Sequence, residues 1–400
     1  MSNRSTFDVV VVGAGMVGAA CAFYTATAGL RTALVDRGPV AGGTTGAGEG
    51  NLLVSDKAPG PELDLALLSA RLWRELIPVL GAGVEYEAKG GLVVASGPDG
   101  LLALEGFAER QRRAGVEARS VPADALRELE PKLAPGLAGG VHYPQDAQVQ
   151  PALAAAGLVR AALRRGAELR TGTTVTGVLR ARGGEVRGIA TDRGELHAPA
   201  VINAAGTWGG ELAALAGVRL PVLPRRGFVL VTEPLPARTI RHKVYAADYV
   251  ADVASDSAAL QTSAVVEATA AGPVLIGASR ERVGFDRTFS LTAARRLAAQ
   301  AVALFPALSQ VSAMRAYLGF RPYLPDHLPA IGPDPRVPGL FHACGHEGAG
   351  IGLAPATGYL LAQILCGKQA LCDKQALTGD AMEFDLAPFR PDRFPEEAAA

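Results

Sequence analysis

Three glycines and one aspartate carry the first chemistry in the chain. Gly13, Gly15 and Gly18 are spaced G-x-G-x-x-G within VVVVGAGMVGAA (Val9–Ala20), and Asp36 follows 18 residues after Gly18. The spacing gives each glycine its own task. Gly13 makes a tight turn, Gly15 leaves room for a pyrophosphate beside bare backbone, and Gly18 lets a helix pack close on a strand. Met16 and Val17 open that helix, whose unpaired N–H groups attract phosphate. A carboxylate at the end of the next strand, Asp36, then accepts hydrogen bonds from a ribose hydroxyl, with Arg37 beside it. Asp36 suits FAD or NAD and would repel the extra phosphate of NADP.

The elements around these residues have to be a strand, a helix and a second strand. Phe7–Val12 reads as a strand buried on both faces of a parallel sheet. Ala19–Ala28 reads as the helix, closed by Gly29, and Thr32–Val35 as the second strand. Two other readings compete for this stretch. Residues 9–30 carry no charge, so by length they would span a bilayer, and Ala26-Thr27-Ala28 before Gly29 resembles a signal cleavage site. Against both stand a lone basic residue, Arg4, ahead of the run, Asp8 abutting it, and three close glycines. Only the dinucleotide reading also accounts for Asp36.

The rest of the composition narrows the class. The 39 basic and 39 acidic side chains cancel, so no charge excess points to nucleic acid or to disorder. Four scattered cysteines, Cys21, Cys344, Cys366 and Cys372, form no C-x-x-C pair. They predict neither a disulfide frame nor a metal site, and they fit a reducing, cytoplasmic setting. At 400 residues the chain has room for two domains.

Two more glycine clusters lie far along the chain. Gly42–Asn51 contains Gly43, Thr44, Thr45, Gly48, Glu49, Gly50 and Asn51 and follows the second strand. Its position puts it at the crevice where this fold binds ligands, with hydroxyls and bare backbone to line phosphates and a flat ring. Strand-like segments at Thr173–Ala181, which holds Val175, and Val186–Thr191 flank a turn at Gly183-Gly184. They lead to VINAAGTW (Val201–Trp208), a short strand entering Ala205, Gly206 and Trp208. Finally, the strand Leu340–Ala343 meets GHEGAGIGLAPATG (Gly345–Gly358), and a helix with Ala354–Leu365 at its core follows. That helix would aim its positive end into the loop. A plain NAD dehydrogenase has no need for this late loop to return to the site.

Together these segments resemble the D-amino acid oxidase family of FAD-dependent oxidoreductases over nearly the whole length, including LAPFRPDRF (Leu386–Phe394). GTTGAGEGNLL (Gly43–Leu53), VLIGASRERVGF (Val274–Phe285) and CGHEGAGIGLAP (Cys344–Pro355) are most similar to the branch holding glycine oxidase, D-hydroxyproline dehydrogenase and hydrogen cyanide synthase. The resemblance implies an α/β chain: a Rossmann-like FAD-binding domain plus an α+β, antiparallel-sheet substrate domain. It places the FAD domain at 1–80, 145–225 and 320–372, the substrate domain at 81–144 and 226–319, and a tail at 373–400. It implies non-covalent FAD, since residues 315–325 hold no cysteine; Cys344 then packs as a small apolar residue. Gly345, His346, Glu347, Gly348, Gly350 and Ile351 would complete the FAD site, the backbone N–H groups of Gly348–Ile351 and the helix that follows facing flavin N1–C2=O.

The chemistry so implied is oxidation of a C–N bond by hydride transfer to flavin N5, which asks the protein mainly to orient the substrate. The substrate is a small amino or imino acid: glycine-like, N-substituted glycine or D-proline-like. Arg321 in GFRPYLPD (Gly319–Asp326) matches the family arginine that binds the substrate carboxylate, a pairing suited to two parallel N–H bonds. His346, Glu49 and, from VYAADYVAD (Val244–Asp252), Tyr245 and Tyr249 are further candidates for the reacting end. Arg226 begins a strand resembling the family's R-G-Q segment, with Phe228 replacing the glutamine. In the other lobe, helices are expected at Leu101–Ala114 and Ala123–Glu130, strands near 226–232 and 274–278, and a helix over Ser290–Leu308 capped by Ser290 or Thr292. Two alternatives stay open: a flavin-binding subunit relaying electrons in a multi-subunit dehydrogenase, and an NAD-dependent dehydrogenase. The electron acceptor, a homo-oligomer and partner subunits are likewise left open. No metal and no transmembrane segment are expected.

Overall fold

The computed structural model describes residues 6–247, 257–368 and 384–394. Val9–Val12 is fully buried in the middle of a six-stranded sheet. The strand order is Ala330–Pro333, Leu340–Cys344, Ala200–Asn203, Val9–Val12, Thr32–Val35 and Glu168–Arg170. All neighbours run parallel except the edge strand Ala330–Pro333. The four valines need no polar alternation because both faces are covered. Val9 and Val11 face one core, with the helices Met16–Thr27, Pro151–Leu163 and Gly350–Lys368. Val10 and Val12 face another, under a three-stranded antiparallel sheet and the helix Gly209–Leu215. The stretch 9–30 is thus a buried strand, a glycine turn and a buried helix.

The helix Gly350–Lys368 is long and apolar enough to cross a bilayer, yet 67% of Gly350–Gly367 is buried inside the protein. It packs on Met16–Thr27 so closely that a Cβ at Gly358 would lie 2.6 Å from the Ala20 carbonyl carbon. This contact sets the two helices side by side, and both begin at glycine turns.

The second sheet has eight strands, in the order Ala313–Tyr323, Leu223–Pro234, Pro273–Arg280, Gln261–Ala268, Lys243–Ala246, Gly91–Ala95, Gly139–Tyr143 and Arg119–Pro122. Only the pair Lys243–Ala246 and Gly91–Ala95 is parallel. One face is sealed by the helix Leu291–Leu304 against Phe228, Leu230 and Ile276. That helix starts at Ser290, whose Oγ accepts from the Ala293 N–H at 3.2 Å, and it ends four residues before the expected Leu308. The two other expected helices span Pro98–Arg113 and Leu126–Leu129. The C-terminal segment is pinned by Arg393, which pairs with Asp326 at 2.6 Å, and by the buried Phe389.

One expectation on the cysteines is corrected. Cys21 and Cys344 are free and buried, but Cys366 is disulfide-bonded, and its partner lies outside the described residues.

Candidate active site

The carboxyl ends of the central parallel strands open onto one cleft of about 330 Å³, which runs on to the antiparallel sheet. The first glycine turn forms its wall, and the three glycines differ as their spacing demands. Gly13 has φ +111°, and a Cβ there would come within 2.3 Å of the Ala204 carbonyl oxygen. A Cβ on Gly18 would lie 1.7 Å from Gly13 O, so Gly18 serves packing and does not line the cleft. Gly15 faces open space apart from the Thr45 hydroxyl. Met16 and Val17 line the cleft beside it.

Asp36 sits at the strand end and buttresses this turn. Its Oδ2 accepts from the Ala14 N–H at 2.6 Å and its Oδ1 from the Gly38 N–H at 2.7 Å. Arg37 lies 4.3 Å over the Trp208 ring, which stacks on Phe285. Val175, Ala205 and Gly206 complete this end.

The second glycine cluster crosses the middle of the cleft, lining it with Gly43, Thr44, Thr45, Gly48, Glu49, Gly50 and Asn51. Thr45 Oγ1 accepts from the Met16 N–H at 2.9 Å, so the loop caps the first helix. Thr44 Oγ1 donates to Phe320 O at 2.6 Å, and Thr207 Oγ1 does so at 2.8 Å. Two distant segments are thereby tied to the strand that carries Arg321. Asn51 Oδ1 and Glu49 Oε1 are buried and accept no hydrogen bond from any described residue.

The late loop enters from the opposite side. His346, Glu347, Gly348, Gly350 and Ile351 line the cleft, whereas Gly345 does not. Gly345 has φ +84°, and Leu324 would block a Cβ there, so it shapes the turn. Gly350 starts the long helix, and the N–H groups of that first turn have no partner inside the helix. The Glu347 N–H donates to Pro322 O at 2.9 Å, fixing the loop beside Arg321. The Glu347 carboxylate is bound by Arg225 and by His327 Nδ1 at 3.0 Å. Burial alone would raise its pKa, but His327 and Arg225 hold it below the ordinary carboxyl value. Burial pushes the His346 imidazole down to about 3, and its Nε2 meets Thr357 Oγ1 at 3.0 Å. His346 is therefore neutral near pH 7 and a poor proton acceptor. Burial raises the Cys344 thiol to about 12, so it stays protonated.

Arg321 lies at the far end of the cleft. Its Nη1 donates to Ser279 O at 2.8 Å, which fixes the plane of the fork. The guanidinium crosses Gly227, where a Cβ would come within 2.2 Å of Nη1, and packs against Gly348. Gly319 faces Ala47 in the same way. Gly227 and Gly319 are paired across adjacent strands and form a floor without side chains. The readings above passed over both; an isolated glycine within a strand pattern is their signal.

One candidate lies away from the cleft. Tyr245 is fully buried outside the cleft, its hydroxyl donating to Ser55 Oγ, which in turn donates to Asp146. It points to the core because its strand is internal to the sheet, between Gln261–Ala268 and Gly91–Ala95. Tyr249 lies outside the described residues. Arg226 is spent on Glu281 at 2.9 Å and Asp286 at 2.6 Å, and Phe228 is buried under the covering helix.

With this geometry in place, comparison with known proteins becomes specific. Residues 8–364 match the DAO family, FAD dependent oxidoreductase. The chain is 32% identical to the hydrogen cyanide synthase subunit HcnC of Pseudomonas aeruginosa, covering 100% of this chain and 98% of that one. It is 33% identical to the glycine oxidase of the same organism, over 93% of this chain and 97% of that one. The crystal structure of glycine oxidase from Geobacillus kaustophilus superposes with a TM-score of 0.85 at 29% identity, covering 98% of this chain and 100% of that one. The residues present fit FAD: a bare-backbone turn at Gly15, a carboxylate at Asp36, an orphaned amide oxygen at Asn51 and a helix N-terminus at Gly350. The chain belongs to the DAO family and is an FAD-dependent enzyme that oxidises C–N bonds of amino acids.

Proposed function

We propose that the substrate is a small amino or imino acid, glycine-like, N-substituted or D-proline-like, whose carboxylate is held by Arg321. The observation that carries this is the placement of Arg321 in the cleft that holds the glycine turns, lying flat on Gly227 and against Gly348. A guanidinium held in a fixed plane meets a carboxylate through two parallel bonds and so sets orientation as well as affinity. Bound FAD supplies the acceptor for a hydride, taken at N5. The chain's own residues do the rest. Arg321 holds the carboxylate, Gly227 leaves room for its guanidinium and Gly319 for Ala47, and the first turn of the Gly350 helix offers positive potential to the centre of the cleft. Neutral His346 adds no charge.

The similarity to glycine oxidase supports a glycine-like substrate, and the similarity to a subunit named as part of hydrogen cyanide synthase supports work within a complex. The two-part division of the chain and a cytoplasmic location belong to the same reading. The test is an anaerobic screen of the yellow holoprotein with glycine, sarcosine, D-proline and larger amino acids. Bleaching of the visible flavin band by the small members is expected; a protein that no amino or imino acid bleaches would contradict the reading.

A further inference from the structure

Glu49 is a buried side chain whose Oε1 has no hydrogen-bond partner among the described residues. It lines the cleft at 8% exposure. The loop that carries it is held on both sides. Tyr317 OH donates to Gly48 O at 3.3 Å, and the Val149 N–H donates to Gly50 O at 3.0 Å. Beneath it, Gly277 leaves the sheet bare; a Cβ there would lie 2.2 Å from Oε1. Glu49 therefore rests on Gly277 as Arg321 rests on Gly227 of the adjacent strand.

The two lysines that act on the neighbouring Glu267 are each paired with a carboxylate. Lys243 pairs with Glu267 at 3.1 Å, both almost wholly buried, and Lys89 pairs with Glu87 at 3.3 Å. Burial raises the Glu267 carboxyl, and the Glu49 charge adds to that while Lys243 opposes it. Burial likewise raises the Tyr317 hydroxyl, again with the Glu49 charge adding. Glu49 thus adds to the negative potential felt by Glu267 and Tyr317. A buried carboxylate of this kind is costly unless a cation joins it.

Resting on the amino-acid reading above, we infer that Glu49 receives the ammonium group of the substrate held at Arg321 and takes one of its protons. An N–H bond breaks and an O–H bond forms on Glu49, leaving the amine with a free lone pair. Bound FAD would supply the acceptor for the Cα hydride, and the nitrogen lone pair so freed would form the C=N bond of an iminium. The proton on Glu49 is lost to solvent as product leaves. The site therefore selects carboxylates whose neighbouring group is a cationic amine and disfavours the matching oxygen compounds.

The test is calorimetric binding to the reduced holoenzyme, in which amino acids bind without turnover. Two isosteric pairs serve as probes: glycine against glycolate, and D-proline against tetrahydrofuran-2-carboxylate. The wild type is expected to prefer the amine of each pair by more than about tenfold. Glu49→Gln should cut that preference to within about twofold while leaving the oxygen compounds within about threefold of wild type. Glu49→Asp, which keeps the charge, should retain part of it and stands in if the glutamine variant fails to hold FAD. A preference that survives Glu49→Gln would overturn the inference, as would a wild type that binds both members of each pair equally. Binding of neither member to the wild type would overturn the amino-acid reading and this inference together.

Discussion

The two ends of the cleft are built from different materials. At the parallel-sheet end the ligand surface is built on backbone: the turn at Gly13 and Gly15, the Ala205–Gly206 corner, and main-chain N–H groups that donate to Asp36 and Thr45. At the antiparallel end the backbone is only a floor, bare at Gly227, Gly277 and Gly319, on which the charged side chains of Arg321 and Glu49 lie. A surface of backbone can hold the one molecule that every member of such a family shares. A surface of side chains can be changed residue by residue, and on the proposed function it is there that the substrate would be chosen. Damage at the two ends should therefore look different: lost cofactor and lost stability at the first, altered saturation with the cofactor in place at the second.

The largest effect is expected at the backbone end. Gly18→Val puts a side chain where a Cβ alone would sit 1.7 Å from Gly13 O. It should destabilise the protein by more than about 3 kcal/mol and abolish FAD retention, read as the ratio of visible to ultraviolet absorbance. A Gly18→Val protein that keeps its flavin would break the contrast.

Glu347 bridges the two ends, and Glu347→Gln should have an intermediate effect. It removes the charge that pairs with the buried Arg225, at a cost of roughly 2–3 kcal/mol. The sign with pH follows from its lowered pKa. In the wild type the contribution is complete above the ordinary value of 4.5 and is lost as the pH falls through the lower folded value. Unfolding measured in denaturant between pH 7 and pH 3 should therefore show the two proteins converging below pH 4.5. A constant difference across that range would assign the cost to something other than charge.

Tyr245→Phe should have the smallest effect. It loses one buried hydrogen bond to Ser55, about 1 kcal/mol, and should leave kcat within about twofold. A large fall in kcat would return Tyr245 to the site.

The same contrast explains what could be read in the amino-acid order. The backbone end was legible because its demands are on residue type at fixed spacing. Only glycine survives at Gly13 and Gly18, and four consecutive valines imply a strand covered twice. The Ser290 cap was legible for the same local reason. At the side-chain end, period two tells which residues share a face but not which face sees the cleft. Tyr245 was read toward the substrate and lies in the core. The glycine floor was hidden because each of Gly227, Gly277 and Gly319 is a single glycine in a different strand, and only the fold brings them together. The Cys366 disulfide was hidden because no C-x-x-C spacing marks it.

The claim that the side-chain end holds an amino acid by its carboxylate is tested most directly by anaerobic flavin reduction in Arg321→Ala beside the wild type. The variant should keep FAD and still bleach, with the half-saturating concentration of amino acid raised on the order of 100-fold. Superimposable titration curves for the two proteins would contradict the account.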